Sequence, residues 1–417
     1  MGKYSVAMVA ACPFPANHGT PAAIREMSEE LARRGHKVRV VTYPISDPIP
    51  VEGVAIDRVR QFGFNRSITV GPSYQRLVYD FLLIFKLLQV VRKHQVEIIH
   101  AHNYEAALVS ALVARLTGRP MIYNAINTMA GELASFHFIR PQILATWLAW
   151  ILDYVTPGLA DAVIADTWAL ERFLVERGVA PDRIRTIHSG VWPEMFAAGN
   201  GHRVRERFAL GGVPTIIYTG TFDEFQGLDH LLHAFQIIQR KQPTAQLLLV
   251  GSTVRSRHRD RYAAMAKDLG VSSAVTITAS SLEELPDFLA AGDIAVVPRS
   301  ESSGIPTKLL NYMAAGKAIV SFEKAAAILE DGKSARLVRV VSAEALAEGI
   351  LELLADPKQA LELGHNAKRL AKTSFDWSAI VTQVGSLYDE VVTQHRSKNK
   401  RRPDRLAISS GNTGNAS

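Results

Sequence analysis

Short apolar runs rich in valine, isoleucine, leucine and alanine alternate with longer helical stretches along most of this 417-residue chain, and that alternation constrains the fold more than any other feature. The runs fall into two sets. The first comprises Ser5–Ala11, Lys37–Tyr43, Val54–Val59, Glu97–His102, Pro120–Asn124, Ala162–Asp166 and Ile184–His188. The second comprises Thr215–Gly220, Ala245–Gly251, Val275–Thr278, Ile294–Pro298, Ala318–Phe322 and Ala335–Val338. Several, such as IIYTG, LLLVG and AVVP, are apolar at nearly every position, as strands buried on both faces are. Strand–helix alternation predicts right-handed βαβ units, and so parallel sheets with helices on both faces.

The flexible stretch AAGNG at 197–201 and the pair Gly211-Gly212 separate the two sets. The expected organisation is α/β, with two doubly wound Rossmann-like domains over 1–196 and 205–375 facing a central cleft. A closing helix over 376–394 returns to the first domain, and a basic tail over 395–417 is too polar to fold. In open parallel sheets ligands bind beyond the carboxyl ends of the strands, so the loops there are where function is sought.

Composition excludes several classes. The formal charge is +7, but Arg396–Arg405 alone holds six basic residues and one acidic, which leaves the rest of the chain near balance at +2. The high pI therefore does not argue for a nucleic-acid partner, and no zinc-finger or RNA-binding motif appears. One cysteine, Cys12, cannot build a disulfide framework or a Cys-rich metal site and is read as a buried apolar residue in a reducing, cytoplasmic setting. The opening MGKYSVAMVAACPFP resembles a signal peptide, yet the loop and amphipathic helix that follow directly make Ser5–Ala11 a first strand. No apolar stretch is long enough to span a bilayer: Leu77–Val91 is broken by Asp80 and Lys86, and Leu144–Leu152 is too short.

Three segments carry the chemistry. In the first, Pro13–Tyr43, Gly19 sits between a strand and a helix, with Thr20 expected as N-cap and Pro21 as the first helical residue. A glycine there admits a ligand to the backbone, and a helix N-terminus favours phosphate. No GxGxxG is present, which disfavours a dinucleotide enzyme. In the second, Pro214–Phe235, a strand ends at Gly220, followed by Thr221 and a helix from about Leu228. In the third, Asp293–Phe322, a buried strand ends at Pro298, Arg299 and Lys308 flank the loop Ser300–Gly304, and a helix runs from Pro306-Thr307 to Ala315 with Gly316 ending it. Two cations, small residues and a helix tip at one spot suit a pyrophosphate leaving group, whose charge rises as its bond breaks.

Together these segments resemble family 4 glycosyltransferases of the GT-B fold. The pattern from Gly19 through Thr42 resembles that family's N-terminal signature, IRTIHSGVWPEMF at 184–196 its segment near the hinge, and GDIAVVP with LLNYMAAGKAIV its C-terminal signature. Leu363, Gly364, Asn366, Ala367, Ala371 and Trp377 resemble its closing helices. The resemblance implies retaining transfer of a hexose-type sugar from a nucleotide diphosphate-sugar, with no cofactor and no essential metal. The acceptor would be a polysaccharide, a lipid-linked glycan or a small molecule. It implies donor-pyrophosphate roles for Arg299, Lys308, Gly220, Thr221 and Gly19. Glu301, Ser303, Gly304, Ile305 and Asn311 would meet the sugar or ribose, and His18, Asn127, Glu132 and His102 the acceptor side.

The chain also departs from that family. Ser303 and Asn311 stand where it has two glutamates, with Glu301 near the first; Thr221 and Gln226 replace its Arg and Lys; Ile126 replaces a histidine. In a front-face mechanism the departing phosphate takes the acceptor's proton, so no protein base is obligatory. The alternative reading is a catalytically silent nucleotide-sugar-binding protein. Finally, Leu77–Val91 and Gln142–Val155, with Trp147, Trp150 and Tyr154 on one helical face and Arg76, Lys86, Arg92 and Lys93 nearby, are read chiefly as core-packing helices. Peripheral contact with the inner face of the cytoplasmic membrane is the competing reading.

Overall fold

A computed structural model of the protein describes residues 2–16, 19–61, 74–129, 142–251, 257–302 and 304–409. All the strands expected from sequence form, to within two residues at either end. They make two all-parallel sheets, one of seven strands and one of six. The chain separates into two compact units, one comprising Met1–Ala16, Ile24–Ile187 and Val381–Ser417, the other Asn17–Ala23 and His188–Ile380. The division thus precedes the Gly-rich stretch expected to mark it.

In the first unit the elements run β1 (Ser5–Ala10), α1 (Gly19–Arg33), β2 (Lys37–Thr42), β3 (Ala55–Arg58), α2 (Tyr74–Lys93), β4 (Ile98–His102), α3 (Asn103–Thr117), β5 (Met121–Ala125), α4 (Gln142–Gly158), β6 (Ala162–Ala165), α5 (Trp168–Glu176) and β7 (Ile184–Thr186). The strand order is β3-β2-β1-β4-β5-β6-β7. The chain moves outward from β1 to β3, then back through β4 to β7. Right-handed crossovers therefore put α1 on one face and α2 to α4 side by side on the other. Side-chain alternation agrees. Val9, Ile99 and Ala101 join Leu83, Leu87 and Val113 in one core cluster. His100, on the opposite face, lies 2.8 Å through Nδ1 from the hydroxyl of Tyr388.

The second unit continues with α6 (Gly201–Arg207), β8 (Thr215–Gly220), α7 (Leu228–Lys241), β9 (Gln246–Gly251), α8 (Arg257–Asp268), β10 (Val275–Ala279), α9 (Leu285–Ala291), β11 (Ile294–Val297), α10 (Thr307–Ala314), β12 (Ala318–Phe322), β13 (Arg336–Val338), α11 (Ala343–Ala355), α12 (Pro357–Ser374) and α13 (Trp377–Ser409). Its order, β10-β9-β8-β11-β12-β13, places β8 and β11 together at the point where the winding reverses. Local chemistry sets the helix starts: Ser342 accepts from the Ala345 amide at 3.1 Å, and Asp356, followed by Pro357 at the first helical position, from Gln359 at 3.0 Å.

Two glycines explain sequence motifs by close approach. A Cβ on Gly364 would lie 2.2 Å from the Gly316 carbonyl oxygen, so α12 seats on the end of α10 only with glycine there. A Cβ on Gly190 would lie 2.5 Å from the ring of Trp377, which is fully buried. The backbone fixes that meeting, since Val191 donates to Phe375 O at 2.8 Å and Trp377 to Val191 O at 3.2 Å. Gly190→Ala is therefore expected to cost about 1–3 kcal/mol through overpacking. A thermal melt unchanged from wild type would show that the tryptophan can shift freely.

Two expectations are corrected here. The helix α1 begins at Gly19 rather than after a Thr20 cap, with Gly19 itself at φ 51°. The last helix runs on to Ser409, through the basic run expected to be disordered from 395. Lys and Arg are good helix formers, and here they extend a helix already anchored by its buried first turns.

Candidate functional site

In a doubly wound sheet the usual ligand position lies beyond the carboxyl ends of the strands where the winding reverses, here β8 and β11. Two loops border it: Gly220–Gly227 after β8 and Pro298–Pro306 after β11. A Cβ on Gly227, whose φ is 73°, would lie 2.3 Å from Pro298 O and 3.1 Å from Arg299 Cα. Glycine at 227 therefore lets the first loop lie directly on the start of the second.

Lys308 projects from the first turn of α10 into this site and is only 9% exposed. Its Nζ donates to the Tyr218 hydroxyl at 2.6 Å and to Gln226 Oε1 at 2.7 Å, and lies 4.0 Å from the centre of the Tyr218 ring. Tyr218 in turn donates to the Thr221 carbonyl at 2.6 Å, and Gln226 Nε2 to Thr221 Oγ1 at 3.3 Å. The bare face of Gly220 closes the arrangement, since a Cβ there would meet Nζ at 2.9 Å. Arg299 is half-buried; its Nε donates to the Glu301 carbonyl at 2.7 Å and its guanidinium lies 5.4 Å from the centre of the Phe225 ring. Burial, and secondarily Arg299, drives the Lys308 amine well below the usual lysine range; burial also lowers Arg299. An anion entering here would relieve both.

Of the residues expected to hold pyrophosphate, the structure thus brings Lys308, Gly220 and Thr221 together, with Arg299 on the loop against them. Gly304, Ile305 and Asn311 are half-buried in the same loop and helix, Asn311 three residues after Lys308; the Gly304 carbonyl accepts from Ser302 Oγ at 2.5 Å. Glu301 is exposed, and it is its carbonyl that Arg299 holds. Ser303, His18 and Glu132 lie outside the described residues. Gln226, which replaces a lysine of the resembled family, supplies an acceptor for Lys308 in place of a second cation.

In the first unit, His102 is buried and stacked on His100 with ring centres 4.5 Å apart, a packing position rather than an open one. Asn127 is half-buried and its carbonyl accepts from the Tyr104 hydroxyl at 3.4 Å. Sequence reasoning missed what fixes this loop. Fully buried Asp153 on α4 accepts from the Met129 amide at 2.8 Å and, through the same oxygen, from Tyr104. The available signal was a lone carboxylate in an apolar helix. Tyr218, the partner of Lys308, was likewise passed over as a strand residue. Among the described residues no group of three or more His, Cys, Asp or Glu is placed to hold a metal ion.

Residues 18–194 match the family model described as Glycosyltransferase Family 4, and residues 213–356 the one described as Glycosyl transferases group 1. The D-inositol 3-phosphate glycosyltransferase of Corynebacterium aurimucosum is 24% identical over 395 residues, covering 88% of this chain and 89% of the relative. That of Acidothermus cellulolyticus is 27% identical over 397 residues, covering 90% and 86%. Among solved structures, sucrose-phosphate synthase from Thermosynechococcus elongatus superposes with a TM-score of 0.80 at 20% identity, covering 94% of this chain and 100% of that one. Family matches that together span both sheets, over residues 18–194 and 213–356, identify the chain as a GT-B enzyme of glycosyltransferase family 4, group 1.

Proposed function

We propose that the enzyme transfers a hexose-type sugar with retention of anomeric configuration and without an essential metal, and that Lys308 and Arg299 hold the donor diphosphate. The observation that carries this is the buried Lys308 amine, oriented by Tyr218 and Gln226 and left without an anionic partner among the hydrogen bonds it makes. Negative charge grows on the leaving phosphate as the glycosidic bond breaks. A fixed ammonium in a water-poor pocket stabilises that charge more in the transition state than in the ground state. Arg299 would add a second cation, and the amide end of α10 a third source of positive potential. The departing phosphate would accept the acceptor's proton, which leaves no obligatory role for the histidine that Ile126 replaces.

The relatives' names include inositol 3-phosphate, and a solved complex of Anabaena HepE contains UDP-glucose. A uridine diphosphate-hexose is therefore the first donor to test, against polysaccharide, lipid-linked and small-molecule acceptors. A thermal-shift screen over nucleoside diphosphate-sugars should single out one donor, since a ligand stabilises by RT ln(1 + [L]/Kd). Arg299→Ala should remove most of that shift. A full shift in the variant would detach Arg299 from the donor, and a product of inverted anomeric configuration by NMR would end the retaining reading.

Proton linkage gives a second test. Lys308 is driven toward its neutral form in the free protein and would be charged beside a diphosphate. Binding of a nucleoside diphosphate-sugar is thus expected to take up protons at mildly alkaline pH, and affinity to weaken as pH rises. Titration calorimetry in buffers of different ionisation enthalpy measures the uptake. Net proton release would contradict this account of Lys308.

A further inference from the structure

We propose that the outer face of α2, α3 and α4 in the first unit seats on an anionic lipid bilayer. No helix among the described residues is long and apolar enough to cross a membrane. Yet these three neighbouring helices turn large apolar side chains outward together: Phe81 (59% exposed) and Phe85 from α2, Leu112 and Leu116 from α3, Trp147 (60% exposed) and Trp150 from α4. On α2 and α3 the pairs are four residues apart, so each helix presents a stripe, and parallel neighbours merge the stripes into one face. Contiguous exposed apolar surface of this kind marks an interaction site. The core-packing reading of these aromatic residues does not hold.

Charge decides what covers the face. The three helices contain three acidic residues, Asp80, Glu105 and Asp153, and all are engaged inward. Asp80 accepts from Tyr43 at 2.5 Å, Glu105 pairs with Arg76 at 3.6 Å, and Asp153 accepts from Met129 N. Arg76 is turned inward as well, donating to the Ala11 carbonyl at 2.9 Å, and so is not part of the outer face. The cations that do lie at the surface gather at one edge. Arg92 and Lys93 end α2, and Arg115 lies in the last turn of α3. The last helix is fastened to the same edge, with His395 Nε2 2.9 Å from the Gly118 carbonyl just past α3 and Arg396 3.4 Å from Glu97 just before β4. It therefore delivers the start of the chain's most basic run, Arg396–Arg405, to the end where Arg92, Lys93 and Arg115 already stand.

A face of apolar, tryptophan and cationic side chains with no outward carboxylate among the described residues of these helices matches the headgroup region of an anionic bilayer. Aromatic rings sit at that boundary and each lysine or arginine adds attraction. A second copy of the chain would bring the same cations and no carboxylate to meet them. This inference does not depend on the donor site, and it favours a lipid-linked acceptor.

Co-sedimentation of the full chain tests it. Wild type should bind vesicles of phosphatidylcholine with phosphatidylglycerol, bind pure phosphatidylcholine far more weakly, and lose affinity with added salt. Phe81→Ser combined with Trp147→Ser should lower vesicle binding about tenfold or more. Arg92→Glu with Lys93→Glu should lower binding to the anionic vesicles by a similar factor and leave neutral vesicles unaffected. Both variants should keep the thermal shift with donor, which separates this inference from the donor assignment. Vesicle binding indifferent to both variants overturns the proposal. So does a dimer in sedimentation equilibrium, abolished by the aromatic substitutions, in a protein that ignores vesicles.

Discussion

Lys308→Met should lower kcat/KM by about a thousandfold while leaving the fold intact. Methionine keeps most of the methylene volume in a pocket bounded by Tyr218 and the bare face of Gly220, so packing changes little. What disappears is the ammonium. Charge-assisted hydrogen bonds contribute about 1.5–3 kcal/mol each, so donor affinity alone should fall about 10- to 100-fold. The remainder of the loss arises because the charge on the leaving oxygen grows toward the transition state. Stability offers the control. In the free protein the buried amine is under strain from desolvation, whereas Gln226 Oε1 loses its donor in the variant. These effects oppose one another, and the net change should stay within about 1 kcal/mol. A variant with near wild-type turnover would show that the amine serves only to order Tyr218 and Gln226. A variant that fails to fold would do the same for Lys308 as a structural residue, and Lys308→Arg, which restores a cation without restoring that geometry, then separates charge from packing.

The residues that made this site legible in the sequence are those whose signal is local. Short, nearly continuous apolar runs and the spacing between them specify strands, and the shift from β8–β9–β10 to β11–β12–β13 specifies where a ligand belongs. Arg299 and Lys308 stand out because a cation beside a strand end and a helix start is visible within ten residues. The partners were not legible for the opposite reason. Tyr218 meets Lys308 across 90 residues of chain, and Tyr104 meets Asp153 across 49. Nothing in either neighbourhood records the other's presence. The same limit hid the inward turn of Arg76 toward Ala11 and Glu105, which removes it from a surface that its neighbours Arg92 and Lys93 do occupy. His102 is legible in the sequence only as the last residue of an expected strand, the position from which a side chain can reach a ligand. The register that sets Ala10 beside it and stacks it on His100 is a property of the folded sheet.

Those histidines make the first unit sensitive to acid. His36, His100 and His102 are all buried, and Tyr388 links two of them, with ring centres 5.8 Å from both His36 and His100. Burial lowers all three, His100 to about 3, and charge repulsion between His100 and His102, which disfavours protonating both, adds to the effect on His102. In the unfolded chain each would take its proton near pH 6.5. Between there and the folded value the unfolded state binds more protons, so stability falls as pH falls, by up to about 1.4 kcal/mol per pH unit for each histidine that stays neutral. Asp80 works the other way. Burial raises its carboxyl to about 6, so between about pH 6 and 4 the native state is the one that gains its proton, and this offsets roughly one histidine. With His100 and His102 neutral and Asp80 opposing them, the net slope is about 1.4 kcal/mol per pH unit, and His36 acts in the same direction as the other histidines. Urea unfolding at successive pH values, followed by a probe in the first unit, should therefore show a steep decline below about pH 6 that a donor ligand does not set. His102→Leu keeps the site apolar and removes one titrating group, so its decline should be shallower by about 1.4 kcal/mol per unit. Parallel slopes for the two proteins would mean that His102 takes up its proton in the folded state, and that the stacked pair is more accessible to water than its burial implies.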